Sequence, residues 1–220
     1  MKVFYISLIG FLLMMGYKSY SQNAKVIDLH DAVKNNNIDV FNRKLTLLNE
    51  ESHAGIRLSK DYGEGVAWLK GIDFSNGIIE FDVRGEDVKQ HSFVGVAFHG
   101  INDSTYDAIY LRPFQFRAQD EALKNHSIQY ISLPNFTWRV LRAQFPNKYE
   151  NAIKQDLDPN SWVRVRIEIK DATVSVYING SKEASLTVQK VTNISTGLIG
   201  FYVADTSGGD FANITITKTN

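Results

Sequence analysis

The chain has 220 residues, 24 basic and 24 acidic side chains, and no cysteine. Balanced charge gives no electrostatic case for a nucleic-acid or anionic-membrane partner. Without cysteine there are no disulfides, no thiolate metal site and no lipid anchor on an N-terminal Cys, so the fold must rest on its core alone.

Lys2 precedes an apolar run from Val3 to Met15, then a polar stretch ending Ser19-Tyr20-Ser21. Small residues at Ser19 and Ser21 fit a signal-peptidase site, with cleavage before Gln22. The run is short of the ~20 residues that a helical span needs. Residues 1–21 are therefore expected to be a signal peptide and 22–220 one exported domain, periplasmic, cell-surface or secreted, with no membrane span in the mature form. Its oligomeric state is not legible.

Short strands are expected next. Val26–Leu29 reads as the first, followed by a polar connection from Asp31 to Asn37. Leu45 and Leu47, then Ile56 and Leu58, mark two more. Gly63-Glu64-Gly65 is a turn, Val66–Leu69 a strand and Ser75-Asn76-Gly77 another turn. From Gly77 to Gly85, Ile79, Phe81 and Val83 share one face, and Glu80, Asp82 and Arg84 the other. Ser92–His99 follows, with Val94, Val96 and Phe98 inward and Gly95, Ala97 and His99 outward. No segment shows a sustained helical period, and Asn151–Leu157 has room for one helical turn at most. In the last third, Val163, Val165, Ile167 and Ile169 alternate with Arg164, Arg166, Glu168 and Lys170. Val174, Val176 and Ile178 resume the inward face after a turn at Asp171-Ala172. Asn179-Gly180 suits a type I′ hairpin, with Ala184, Leu186 and Val188 beyond it. Short strands separated by Gly, Asn, Asp and Ser predict an all-β, two-sheet antiparallel sandwich.

Residues 66–85, 93–100, 161–186 and 197–216 carry a resemblance to the concanavalin A-like lectin/glucanase superfamily. Within it, the layout resembles laminin-G-like and 3-keto-disaccharide-hydrolase-type domains of exported bacterial proteins. The likeness lies in strand order and turn position across roughly half of the chain. It implies a jelly roll whose concave face holds carbohydrate. The glucanases of this superfamily set catalytic carboxylates on alternate residues of one strand. Here Glu80, Asp82 and Glu86 depart from that spacing, so their roles are not carried over, and an ordinary polar strand face is the reading.

Between Tyr106 and Tyr149 aromatics are concentrated, with Arg112, Arg117, Arg139 and Arg142 interleaved. On a strand from Asp107 to Phe116, Ala108, Tyr110, Arg112 and Phe114 share the face opposite the core residues Ile109 and Leu111. On a following strand, Trp138, Val140 and Arg142 share a face. Sugars pack C–H faces on aromatic rings and offer hydroxyls to Arg and His. His99, Tyr110, Arg112, Trp138 and Arg142 are thus candidate ligand contacts for a poly- or oligosaccharide. Arg also pairs with a uronate or sulfate.

Two alternatives stay open. One is an enzyme acting on glycosides, of the 3-keto-glycoside hydrolase type or a polysaccharide lyase using His99, Tyr110 and Arg112. No catalytic residue set is assigned; Glu150 and Asp107 are loose carboxylate candidates, read as solvated loop acids. The other is a laminin-G-like protein-interaction module. The loop Asp205–Asp210 suits an Asp/Gly turn. Relatives hold a structural Ca²⁺ near it, which makes Asp205 and Asp210 the candidate metal ligands. The five His show no zinc spacing.

Overall fold

The computed structural model describes residues 24–219; the expected signal segment and its cleavage site lie outside the described residues. In chain order the strands are β1 (Ala24–Val26), β2 (Ile38–Phe41), β3 (Leu45–Glu50), β4 (His53–Leu58), β5 (Gly65–Phe74), β6 (Asn76–Arg84), β7 (Val94–Asn102) and β8 (Thr105–Leu111). They continue with β9 (Ile128–Leu133), β10 (Glu150–Asn151), β11 (Val163–Lys170), β12 (Thr173–Ile178), β13 (Leu186–Gln189), β14 (Gly197–Val203) and β15 (Gly209–Thr219). Three short helices interrupt them: α1 (Leu29–Lys34), α2 (Glu121–Lys124) and α3 (Trp138–Gln144), with a 3₁₀ turn at Pro113–Gln115.

The strands form two antiparallel sheets. The first runs β13-β12-β11-β6-β15-β4-β3, with β1 also paired to β15; the second runs β10-β9-β8-β7-β14-β5-β2. This is the two-sheet antiparallel sandwich that the alternation predicts, in the jelly-roll form that the resemblance implies. Ile79, Phe81 and Val83 of β6 and Val163, Val165, Ile167 and Ile169 of β11 are all buried, facing the second sheet. Phe201 of β14 crosses the gap to meet Phe81 and Phe211, with centroids 6.3 and 4.7 Å apart. Burying each such ring contributes roughly 2–3 kcal/mol, which is how a chain without disulfides is held. The β12–β13 turn is built as its sequence demands, with Asn179 and Gly180 at φ 46° and 71°.

The structure departs from expectation in three places. The first strand stops at Val26, because the Asp28 side chain accepts from the Asp31 N–H at 3.0 Å and caps α1. The polar stretch after it is therefore largely helix. The strand expected to reach Phe116 ends at Leu111, where Pro113 has no N–H to continue the ladder and opens the 3₁₀ turn. Residues 138–142 are not a strand but helix α3, with Thr137 as N-cap. Asn151–Leu157 takes no helical turn, within the limit of one turn that the sequence sets. Among the described residues no helix is long and apolar enough to cross a membrane.

Candidate functional site

The outward face of the second sheet carries tyrosines where an ordinary strand carries polar side chains. Tyr110 of β8 and Tyr202 of β14 both lie opposite Gly95 of the intervening strand β7. With no side chain at Gly95 to separate them, the two rings meet at 5.7 Å. Tyr106 approaches Tyr202 at 5.9 Å. Tyr110 and Tyr202 line a cleft of about 540 Å³, within the usual span of small-molecule sites. Phe93, Phe114, Leu123 and Trp138 also border it. The segment between β8 and β10, which holds the 3₁₀ turn, α2 and α3, thus supplies much of the wall.

One end of the cleft is acidic. Glu64 sits at the start of β5, next to β14 in the sheet, and its carboxylate accepts a hydrogen bond from the Tyr202 hydroxyl. Burial pushes the Glu64 carboxyl above its ordinary value, against the pull of that hydrogen bond and of Arg43. Burial likewise pushes the Tyr202 hydroxyl well up, with the Glu64 charge adding to it. Arg43 is buried behind this end and donates to the carbonyls of Gly63 at 2.6 Å and Ala204 at 3.0 Å. It ties the loop bearing Glu64 to the loop bearing Asp205. Asp205 in turn accepts from the Gly63 N–H at 2.7 Å.

The other end is basic. Arg112 is buried, and its donors go to neutral acceptors: the His126 carbonyl at 2.6 Å, the Tyr110 hydroxyl at 2.9 Å and Gln129 Oε1 at 3.2 Å. Burial pushes the Tyr110 hydroxyl up to about 12, the Arg112 charge opposing. Arg142 grips Glu150 in bidentate fashion at 2.8 and 2.6 Å. Helix α3 sets Trp138 and Arg142 four residues apart on one face, and the guanidinium lies 4.9 Å from the ring centroid. His126 Nδ1 lies 2.9 Å from Glu150 Oε2, out of line for a hydrogen bond. Burial lowers the His126 pKa, overriding the attraction of Glu150.

Of the five expected contacts, Tyr110, Arg112, Trp138 and Arg142 meet in this cleft. Trp138 and Arg142 do so by helical rather than strand spacing. His99 does not. A bulge follows Phe98 in β7, and His99 takes φ 51°, which turns its ring away from the outward face. The ring is fully buried against Phe74 and Phe98. Its Nε2 donates to the Ser75 carbonyl at 2.7 Å, and its Nδ1 accepts from Lys190 at 3.1 Å. Arg117 pairs with Asp156 elsewhere.

Glu150 and Asp107 are not solvated loop acids. Both are buried, the first under Arg142 and the second accepting from the Tyr130 hydroxyl at 2.9 Å. The Asp205–Asp210 pair does not fit a calcium site. Asp210 lies on β15 in the first sheet, held by Arg57 at 2.6 Å and Arg84 at 2.7 Å, whose charges oppose a cation. Among the described residues no cluster of three or more His, Asp or Glu is placed to hold a metal.

The sequence matches the 3-keto-alpha-glucoside-1,2-lyase-like domain over residues 19–217. The chain belongs to this family. No curated protein sequence matches it significantly. Among solved structures, the family member's fold is similar to the carbohydrate-binding module CBM66 of Bacillus subtilis, with TM-score 0.58 and 14% identity over 81% of this chain and 93% of that one. It is also similar to a native glycosidic hydrolase, with TM-score 0.58 and 10% identity over 92% and 99%. A third is the metal-free carbohydrate recognition domain of Emp46p, with TM-score 0.53 and 17% identity over 86% and 90%. At these identities the likeness is one of fold, and function has to be argued from the site.

Proposed function

We propose that the protein is an exported carbohydrate-binding jelly roll that takes a glycoside in the cleft over Tyr110 and Tyr202. The observation that carries this reading is the pairing of the part-exposed rings of Phe93, Phe114 and Trp138, set above the buried Tyr110 and Tyr202, with hydrogen-bonding groups at both ends, Glu64 at one and Arg112 and Arg142 at the other. Rings accept the C–H face of a sugar, while carboxylate and guanidinium take its hydroxyls. The family's name and the binding modules and hydrolase sharing the fold support the same ligand class.

Glu64 favours a second reading, in which the cleft also performs chemistry. A carboxyl made more basic by burial, hydrogen-bonded to a tyrosine in a cleft, is a competent general base. In a 3-keto-glucoside the ketone acidifies the proton on C2. Glu64 would take that proton, the C2–H electron pair would become the C1=C2 bond, and the C1–O pair would leave with the aglycone oxygen. That oxygen is protonated on departure, from Tyr202 or water. Such an elimination is what a 1,2-lyase does.

The test is to incubate the purified protein with p-nitrophenyl α-glucoside and its 3-keto derivative, measuring binding by calorimetry and aglycone release by absorbance. Saturable binding without release supports a binding module. Release from the 3-keto compound alone supports the lyase. If neither compound binds, and native gels cast with neutral, uronate-bearing and sulfated polysaccharides show no retardation, the carbohydrate reading fails. A protein-interaction role then takes its place.

A further inference from the structure

The two ends of the cleft carry opposite charge, and the basic end is not neutralised from within. Glu150 is the one carboxylate buried there, and Arg142 occupies both its oxygens. Arg112 lies 3.9 Å from the same carboxylate, but its hydrogen bonds go to a carbonyl, a hydroxyl and an amide, none of which cancels its charge. Arg139 lines the cleft beside them, with its guanidinium 5.4 Å from the Trp138 ring. Among the described residues Arg139 has no ion pair or side-chain hydrogen bond. Three guanidiniums against one carboxylate leave this end positive.

The hydroxyl of Tyr110 extends that charge into the cleft. Arg112 donates to its oxygen, so its own proton must point elsewhere, and the described residues offer it no acceptor. A hydroxyl polarised by a guanidinium behind it is a strengthened donor, suited to a negatively charged oxygen. At the opposite end, Glu64 and Asp205 repel an anion.

We infer that the basic end is a subsite for an anionic substituent of the sugar, a carboxylate or a sulfate ester. Arg139 and the free edge of Arg142 are the groups that receive it, with the buried Tyr110 hydroxyl behind them. This rests on the proposed carbohydrate reading and narrows it to acidic glycosides. The charge asymmetry also fixes orientation, because an acidic sugar enters with its anion toward helix α3, leaving its remaining face toward Glu64. A neutral sugar gains no such direction. Trp138 then acts mainly as the platform that holds two guanidiniums in place, through its ring contacts with Arg139 and Arg142.

The experiment measures affinity for three matched ligands, p-nitrophenyl glucoside, the corresponding glucuronide and the 6-sulfate, on the full protein and on Arg139→Gln. Arg139 is exposed and unpaired, so its loss does not threaten folding. The expected result is at least tenfold tighter binding of one acidic ligand than of the neutral one. Which acid is preferred distinguishes carboxylate from sulfate. That preference should fall at least fivefold in R139Q, recover in part in Arg139→Lys, and shrink as salt is raised. Equal binding of neutral and acidic ligands, or a preference that R139Q leaves intact, overturns the subsite while the carbohydrate reading stands. Binding of none of the three overturns the subsite, and the carbohydrate reading falls with it if the polysaccharide gels also show no retardation.

Discussion

The outward faces of the two sheets obey the same alternation and end in opposite conditions. On the first sheet, charges on neighbouring strands cancel. Asp210 of β15 is held between Arg57 of β4 and Arg84 of β6, Arg84 also reaches Glu50, and Asp82 meets Arg164 across β6 and β11. On the second sheet, Tyr110 and Tyr202 stand in the outward positions, and loops and short helices rise around them. The first face has satisfied its own groups. The second keeps a raised carboxyl, a hydroxyl with a spare proton and an excess of guanidinium. A sandwich needs only one of its outward faces for solubility, so the other is available for a ligand.

Among substitutions on the second face, the largest effect is expected at Glu64. Glu64→Gln keeps the size and can still accept from Tyr202, yet removes the base. If the cleft performs elimination, turnover of a 3-keto-glucoside should fall by ~10²–10⁴-fold with little change in affinity. Because burial raises the Glu64 pKa, the acid limb of the wild-type rate profile should lie above the ordinary carboxylate value. A profile that is flat through that region would remove Glu64 from the chemistry.

On the first sheet the large effect should be on stability alone. Asp210→Asn leaves Arg57 and Arg84 facing each other, which should cost about 2–3 kcal/mol in denaturant unfolding, below the full value for a buried pair because Arg57 is half exposed. Burial opposes ionisation of Asp210, but the hydrogen bonds of Arg57 and Arg84 outweigh it and hold the pKa below 3.8. The unfolded chain therefore binds this proton more readily than the folded one. The stabilisation is present at neutral pH and is lost as pH falls below about 4 toward the folded value. D210N should flatten that part of the stability curve and leave sugar affinity unchanged.

Trp138→Ala comes next. It removes the platform for Arg139 and Arg142, and affinity for the cleft ligand should drop several-fold, about 1 kcal/mol, with folding largely intact because the ring is well exposed. Unchanged affinity would take α3 out of the site.

The sequence made the first sheet easier to read than the second. Strict alternation in β6, β11 and β12 predicts which residues are buried, because period two is a local property. The cleft depends on information that is not local. Glu64 and Tyr202 are 138 residues apart and meet only because β14 pairs with β5. Glu64 reads as part of a Gly-Glu-Gly turn, and the one available hint is that Tyr202 and Tyr110 are aromatics on the face opposite the sandwich core, where alternation leads one to expect polar side chains. His99 escapes for another reason: a single bulge reverses parity, and nothing in Phe98-His99-Gly100 announces it. Helix α3 is short and contains Trp and Val, so only Thr137 as a cap marks it.

The smallest expected effect is the sharpest check on the comparison. Glu80 lies on the outward face of β6, with Arg164 4.0 Å away and about a third of its side chain exposed. In a glucanase-like reading this carboxylate belongs to the chemistry; here it faces away from the cleft, on the other sheet. Glu80→Gln removes a long, partly solvated ion pair while Arg164 keeps Asp82 at 3.3 Å and the Asn213 carbonyl at 2.8 Å. Stability should change by less than about 0.5 kcal/mol, and binding and turnover should not change at all. A loss of activity in this variant would mean that the working face is the one whose charges already cancel, and the assignment of the two faces would have to be exchanged.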